Sequence, residues 1–157
     1  YDGVHYGYRS PKATGLESTD KKSRSEGCGT EVKLRIMLGT FGVSAGYYDA
    51  YYGKAQKVRN LIRQKTEEIL KDHDFIILPT TPTPAFGIGE KIDDPVTMYL
   101  ADIFTVQASL AGIPAISLPV GNNKAGLPLG LQFLGKRFGE SELLAFSKYF
   151  LEVDKIK

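Results

Sequence analysis

The chain has 157 residues, 42% hydrophobic and 24% charged, with a formal net charge of +2. That is enough for one domain with a sizeable core, and the small positive balance does not suggest a nucleic-acid surface. Cys28 is the one cysteine, so no internal disulfide can form and a reducing compartment, the cytoplasm, is expected. Residues 1–20 carry no signal-peptide pattern, and no apolar run is long enough to span a bilayer, so no membrane role is expected. The chain opens at Tyr1-Asp-Gly-Val-His-Tyr without an initiator Met and reads as a segment of something longer.

Imperfect alternation from Val4 to Arg9 predicts a short edge strand, weakened by Gly3 and Gly7. His5 on it reads as a strand surface residue rather than a ligand. Residues 10–30 carry Pro11, Gly15, Gly27 and Gly29 and read as loop, and the mixed run from Asp20 to Arg24 reads as a solvated face. Thr30 can cap a helix over Glu31–Leu38. Arg35 lies on it, flanked by Leu34, Ile36, Met37 and Leu38. Either this arginine snorkels at a helix edge or its planar fork addresses a carboxylate. Gly39–Gly46 is a glycine-spaced connector without a phosphate-loop pattern. A long helix over Tyr47–Lys71 follows, with Tyr51, Ala55, Val58, Ile62 and Ile69 as its buried stripe. Lys54, Lys57, Arg59, Arg63 and Lys65 form its basic outer side. The tyrosines at 47, 48, 51 and 52 read as packing groups.

Phe75–Leu78 is an apolar run of the buried-strand type, ended abruptly by Pro79-Thr-Thr-Pro-Thr-Pro84. Its threonines are either hydroxyls at a strand end, where ligands of open α/β sheets sit, or part of a rigid polyproline-like exit. Residues 85–98 read as a loop that could cover a site. Ile103, Val106 and Leu110 predict the apolar face of a helix stopped by Gly112 and Pro114, and Ala115–Val120 predicts a fully buried strand. Asp102 interrupts this apolar block, so it is either turned to solvent or has a task, because an unpaired buried charge is costly. A turn over Gly121–Gly126 and a strand over Leu127–Phe133 would complete a hairpin. A final helix from Glu140 to about Val153 shows Leu143, Leu144, Phe146, Phe150 and Leu151 on its apolar side. Together these elements predict an α/β layer structure. No Cys–His or Ser–His–Asp arrangement, serine elbow or metal-ligand spacing stands out, so no cofactor or metal is expected in this chain.

Arg24-Ser-Glu-Gly-Cys-Gly-Thr-Glu-Val-Lys-Leu-Arg-Ile-Met-Leu-Gly39, Ala45-Gly-Tyr-Tyr-Asp-Ala-Tyr-Tyr52, Leu78-Pro-Thr-Thr-Pro-Thr-Pro-Ala85 and the Tyr99–Gly121 block resemble the C-terminal part of amidase-signature enzymes. Within that family they are most similar to the A subunits of bacterial glutamyl-tRNA(Gln) amidotransferases. The resemblance implies the amidase-signature fold, a mixed β-sheet core covered by helices. Residues 1–157 would then be the C-terminal portion of a single amidase domain. The family's Ser–cis-Ser–Lys triad, which hydrolyses an amide through an acyl-enzyme, has no matching stretch here. The chain alone is therefore expected to be inactive as a glutaminase and prone to self-association.

By the same resemblance, Arg35 matches the arginine that holds the α-carboxylate of glutamine, and Asp102 the carboxylate that holds its α-amino group. The two would fix a zwitterion at both charges. Gln107 stands where a proline is common in the family, Ser109 where an asparagine is common, and Cys28 where an aromatic residue is usual. The implied whole enzyme hydrolyses glutamine and passes ammonia on for transamidation of Glu-tRNA(Gln). It works with B and C subunits, and ATP, Mg and the tRNA belong mainly to the B subunit. The rivals are a stand-alone amidase of small amides and a non-catalytic interaction module.

Overall fold

In the computed structural model, which describes residues 3–90 and 95–154, the chain divides into two units, Tyr1–Ala55 and Gln56–Lys157. The first is helical. Helix α1 spans Leu16–Gly27 and α2 spans Thr30–Gly42. A π-helical segment, Tyr48–Gly53, leads into α3 (Lys54–Asp72), which runs on through the second unit.

Most departures from expectation in the first unit have a local cause. Val4 to Arg9 is not a strand. Gly3 and Gly7 have φ of +75° and +88°, left-handed bends that interrupt extended backbone. Loop was expected over residues 10–30, but Leu16–Gly27 is helical. Its charges explain this: Glu17–Lys21 and Asp20–Arg24 pair at i,i+4 along the exposed face. The mixed charge run is thus a solvated face, as expected. Thr30 is not the cap of α2. Gly29 holds that position, without a side-chain cap bond, and the helix runs beyond Leu38 into the predicted connector as far as Gly42.

The second unit is layered about a sheet of order β1-β3-β2, with β1 at Ile76–Pro79, β2 at Ala115–Asn122 and β3 at Pro128–Leu134. All pairs among the described residues are antiparallel. β3 is central, and Phe133 and Leu134 on it are fully buried on opposite faces. Leu134 joins Leu70 of α3, Ala108 and Ala111 of α5 (Ile103–Ala111), and Ile113. Phe133 joins Leu118 of β2 and Leu143 of α6 (Glu140–Asp154), with Phe146 and Phe150 packed alongside. Burying each such side chain is worth about 1.5–3 kcal/mol. Helices therefore cover both faces of the sheet, the α/β layering that the sequence predicts.

The strands flanking β3 are edges rather than fully buried. Ile77 on β1 is half exposed, and only Leu118 of β2 is buried. An edge position tolerates Pro79 within β1, since its missing N–H need not serve the ladder. The β2–β3 hairpin forms as expected. Asn123 Oδ1 accepts the N–H groups of Ala125 and Leu127 at 2.9 Å each, which closes the turn.

Helical phases differ more from expectation. Of the predicted stripe, Tyr51 on the π-helical segment and Ala55, Val58 and Ile69 on α3 are exposed, while Thr66 and Leu70 are buried with Ile62 half-buried. The block around Asp102 is two helices, α4 (Pro95–Ala101) and α5, rather than one. Ile103 and Val106 face outward, while Ala108 and Ala111 pack with Leu134 of the sheet and Phe104 is half-buried. Gly112, at φ +71°, ends α5 as expected. Leu144 of α6 is exposed rather than part of the buried side. The loop expected over 85–98 is helical from Pro95, and its residues 91–94 lie outside the described residues.

Candidate functional site

Arg35 sits on the middle of α2 with 62% of its side chain exposed. Its Nε donates to Glu31 Oε1 at 2.9 Å, one helical turn earlier. The apolar neighbours that make Arg35 conspicuous in the sequence do not enclose it: Leu34, Ile36, Met37 and Leu38 are each more than half exposed, and α2 has no buried residue. Its neighbourhood in the first unit is thus open to solvent. A guanidinium carries several N–H donors in one planar fork, a geometry that suits a carboxylate.

Asp102 stands at the break between α4 and α5, as the N-cap residue of α5, with φ −96° and ψ 2°. Its carbonyl accepts the N–H groups of Thr105 and Val106 at 3.1 Å and the Thr105 hydroxyl at 3.0 Å. Its side chain makes no cap bond, and the residue is exposed. Asp102 is thus turned to solvent in this structure. Its carboxylate sits at a helix start, where the positive end of the helix dipole favours a negative charge. Gln132, buried at the centre of β3, donates to the Phe104 carbonyl at 2.9 Å and ties the first turn of α5 to the sheet. Arg35 belongs to the first unit and Asp102 to the second.

The sequence points to the threonines after β1, and the structure gives them partners that spacing along the chain does not reveal. Thr80 N–H donates to the Gly130 carbonyl at 3.0 Å, and the Thr80 and Ser117 hydroxyls lie 2.6 Å apart. A Cβ on Gly130 would come within 2.8 Å of Thr80 Oγ1 and 3.1 Å of Ser117 Oγ, so glycine leaves room for the hydroxyl pair. Beside it, Thr81, Thr83, Val120 and Leu129 line a cavity of about 310 Å3. The Thr81 and Thr83 hydroxyls there can hydrogen-bond a neutral polar ligand such as an amide, against apolar walls of proline and leucine. Two signals in the sequence mark this cluster: Ser117 among apolar strand residues, and a glycine inside a strand, which often marks close approach.

Gln107, one of the departures from the family pattern, donates from Nε2 to Thr66 Oγ1 at 3.2 Å and so links α5 to α3. Ser109 is exposed. Cys28 is the half-buried C-cap residue of α1, and its N–H donates to the Arg24 carbonyl. Among the described residues no helix is long and apolar enough to cross a membrane.

The comparisons with known proteins agree with this architecture. The chain is 57% identical over 150 residues to the A subunit of glutamyl-tRNA(Gln) amidotransferase from Syntrophus aciditrophicus, covering 96% of this chain and 31% of that protein. It is 59% identical over 141 residues to the protein of the same name from Oceanobacillus iheyensis, covering 90% and 29%. The chain thus spans about a third of the length of the curated relatives it matches. Among solved structures, the A subunit of the Thermotoga maritima glutamyl-tRNA(Gln) amidotransferase aligns with a TM-score of 0.57 at 50% identity, covering 78% of this chain and 27% of that one. Kluyveromyces lactis allophanate hydrolase, as its S177A variant, aligns with a TM-score of 0.63 at 28% identity, covering 88% and 20%. The sequence profile of the family described as Amidase matches residues 2–144, and on that match the chain belongs to the amidase family.

Proposed function

We propose that this chain is part of a glutamine-hydrolysing protein that supplies ammonia for the transamidation of Glu-tRNA(Gln). The observation that supports the reading is the identity, across almost the whole chain, to proteins named as the A subunit of that amidotransferase. In this reading the nucleophile belongs to the Ser–cis-Ser–Lys triad elsewhere in the full-length protein, and this chain contributes substrate recognition. Arg35 takes the α-carboxylate of glutamine with its planar fork, in competition with Glu31, and Asp102 takes the α-ammonium group. A B subunit carries ATP, Mg and most of the tRNA contact, and a C subunit completes the assembly. The chain itself needs no cofactor, and the complex works in the cytoplasm.

The test uses the full-length protein assembled with its partner subunits. Arg35→Ala should lower the specificity constant for glutamine roughly ten- to a hundred-fold, the worth of about 1.5–3 kcal/mol in a lost charge-assisted hydrogen bond. Arg35→Lys should recover little, since an ammonium does not reproduce the fork. Asp102→Asn should weaken glutamine use in the same direction, and ammonia-driven amidation should survive in each variant. Unchanged glutamine kinetics would remove the recognition role. Equal loss of both nitrogen donors would place the defect in folding or assembly. A second reading, a stand-alone amidase, draws on the likeness to allophanate hydrolase, and it requires turnover of small amides without partner subunits.

A further inference from the structure

Arg59 and Arg63 lie one turn apart on α3 and line the same cavity, of about 250 Å3, with Asn60 beside them and Leu110 and Gly112 from the end of α5. Arg137, in the turn between β3 and α6, lines it too. All of these residues belong to the Gln56–Lys157 unit. We propose that this cavity is a binding site for a phosphate-type oxyanion, an inference that does not depend on the function proposed above.

The argument begins with what holds the guanidinium groups. Arg59 Nε donates to the Leu110 carbonyl at 3.1 Å, at the negative C-terminal end of α5. Arg63 donates from a terminal nitrogen to Asn60 Oδ1 at 2.9 Å. Its Nε is buried and makes no hydrogen bond among the described residues; the nearest carboxylate oxygen, Glu67 Oε1, is 4.0 Å away. Arg137 lies over the ring of Phe138, 5.1 Å from its centroid. Among the described residues no carboxylate pairs with Arg59 or Arg137. Three guanidinium groups, two of them anchored by polar contacts, therefore share one cavity, and the Arg63–Glu67 ion pair at 4.0 Å is their one carboxylate counter-charge among the described residues.

Mutual repulsion among them is relieved by an anion, and planar forks match the several oxygens of a phosphate better than a point cation would. The basic character continues beyond the cavity. Arg137 also lines an adjoining one, of about 320 Å3, with Lys71 and Lys136. The opposing charges there are Glu67 and Asp74, the latter 3.7 Å from Lys136. Free phosphate and a nucleic-acid phosphodiester share this chemistry, and two probes separate them.

The experiment measures inorganic phosphate binding to the chain by titration calorimetry, and binding of a labelled single-stranded RNA by fluorescence anisotropy. Arg137→Gln is the main variant because Arg137 is exposed and donates no hydrogen bond among the described residues, so the fold should persist, as circular dichroism will check. Arg63→Gln is the second variant. Lys57→Gln, an exposed α3 position outside the cavity, is the control. Saturable phosphate binding should weaken at least about tenfold in both arginine variants and stay within about twofold in the control. RNA binding lost in the same variants would identify a phosphodiester as the source, and phosphate binding without RNA binding a free phosphate group. Absence of saturable phosphate binding to the folded wild-type chain would overturn the proposal. So would equal effects of Arg137→Gln and Lys57→Gln on phosphate binding.

Discussion

The two units use different interactions to hold their elements. In Gln56–Lys157 the buried residues are mainly apolar, and Phe133 and Leu134 at the sheet centre have no exposed surface. In Tyr1–Ala55 the buried side chains are Ser10, Thr19 and Ser23, with no large apolar residue buried among the described ones. Ser10 N–H donates to Ser23 Oγ at 3.1 Å, and the Thr19 hydroxyl donates to the Gly15 carbonyl at 2.9 Å. Meanwhile α2 exposes Leu34, Ile36, Met37 and Leu38. An intramolecular hydrogen bond contributes only about 0.5–1.5 kcal/mol net, whereas each large apolar side chain fully buried contributes about 1.5–3. The contrast teaches that the second unit carries the stability. The first, which holds Arg35, leaves the apolar side chains of α2 available to a neighbour without a buried apolar core of its own among the described residues.

The largest effect that can break this comparison comes from the core. Phe133→Ala should destabilise the chain by about 3–5 kcal/mol, because a fully buried aromatic leaves a cavity that the sheet cannot close. Met37→Ala, at a side chain 70% exposed, should change stability by no more than about 0.5 kcal/mol. Urea titrations of both variants measure the difference, and similar midpoints would erase the distinction between the units.

A smaller effect sharpens it. Ser23→Ala leaves the buried Ser10 N–H without its acceptor and should lower the local stability of the first unit by about 1–3 kcal/mol. Amide hydrogen exchange should accelerate around Ser10 and α1, while protection of β3 stays as it was. Faster exchange in β3 would mean that the two units unfold as one.

The smallest effect is a pH dependence confined to the first unit. The Ser10 hydroxyl, and next the Tyr8 hydroxyl, hold the Glu26 carboxyl below its ordinary value of 4.5. Stability from this contact is present above pH 4.5 and is lost as pH falls through the lowered value. Accepting the phenol's hydrogen bond, Glu26 pushes Tyr8 above its ordinary 10.0, so on the alkaline side the contribution fades as pH rises through that raised value. Both groups lie in water, so the effect should be slight. Glu26→Gln should flatten the acid-side change in hydrogen exchange of α1. An unaltered profile would assign that change to other carboxylates.

Local chemistry was legible wherever a residue acts on its own backbone. Gly112 and Pro114 ended α5, Asn123 to Gly126 closed the hairpin, and the start of α6 at Glu140 followed from its pattern. The motifs around Arg35 and Asp102 were enough to identify the family. Periodicity also found most of the helices, but not which side of each is buried. Ile103, Val106 and Leu110 keep helical spacing as well as Phe104, Ala108 and Ala111 do. Only the sheet, with Gln132 drawing the Phe104 carbonyl toward it, selects the second set. The same holds for Arg63, placed by its pattern on a basic outer side and found half-buried against α5 and Arg137. Spacing along a chain sets the period of a helix. Its phase, and the company its charges keep, depend on residues distant in sequence, so tertiary packing alone decides them.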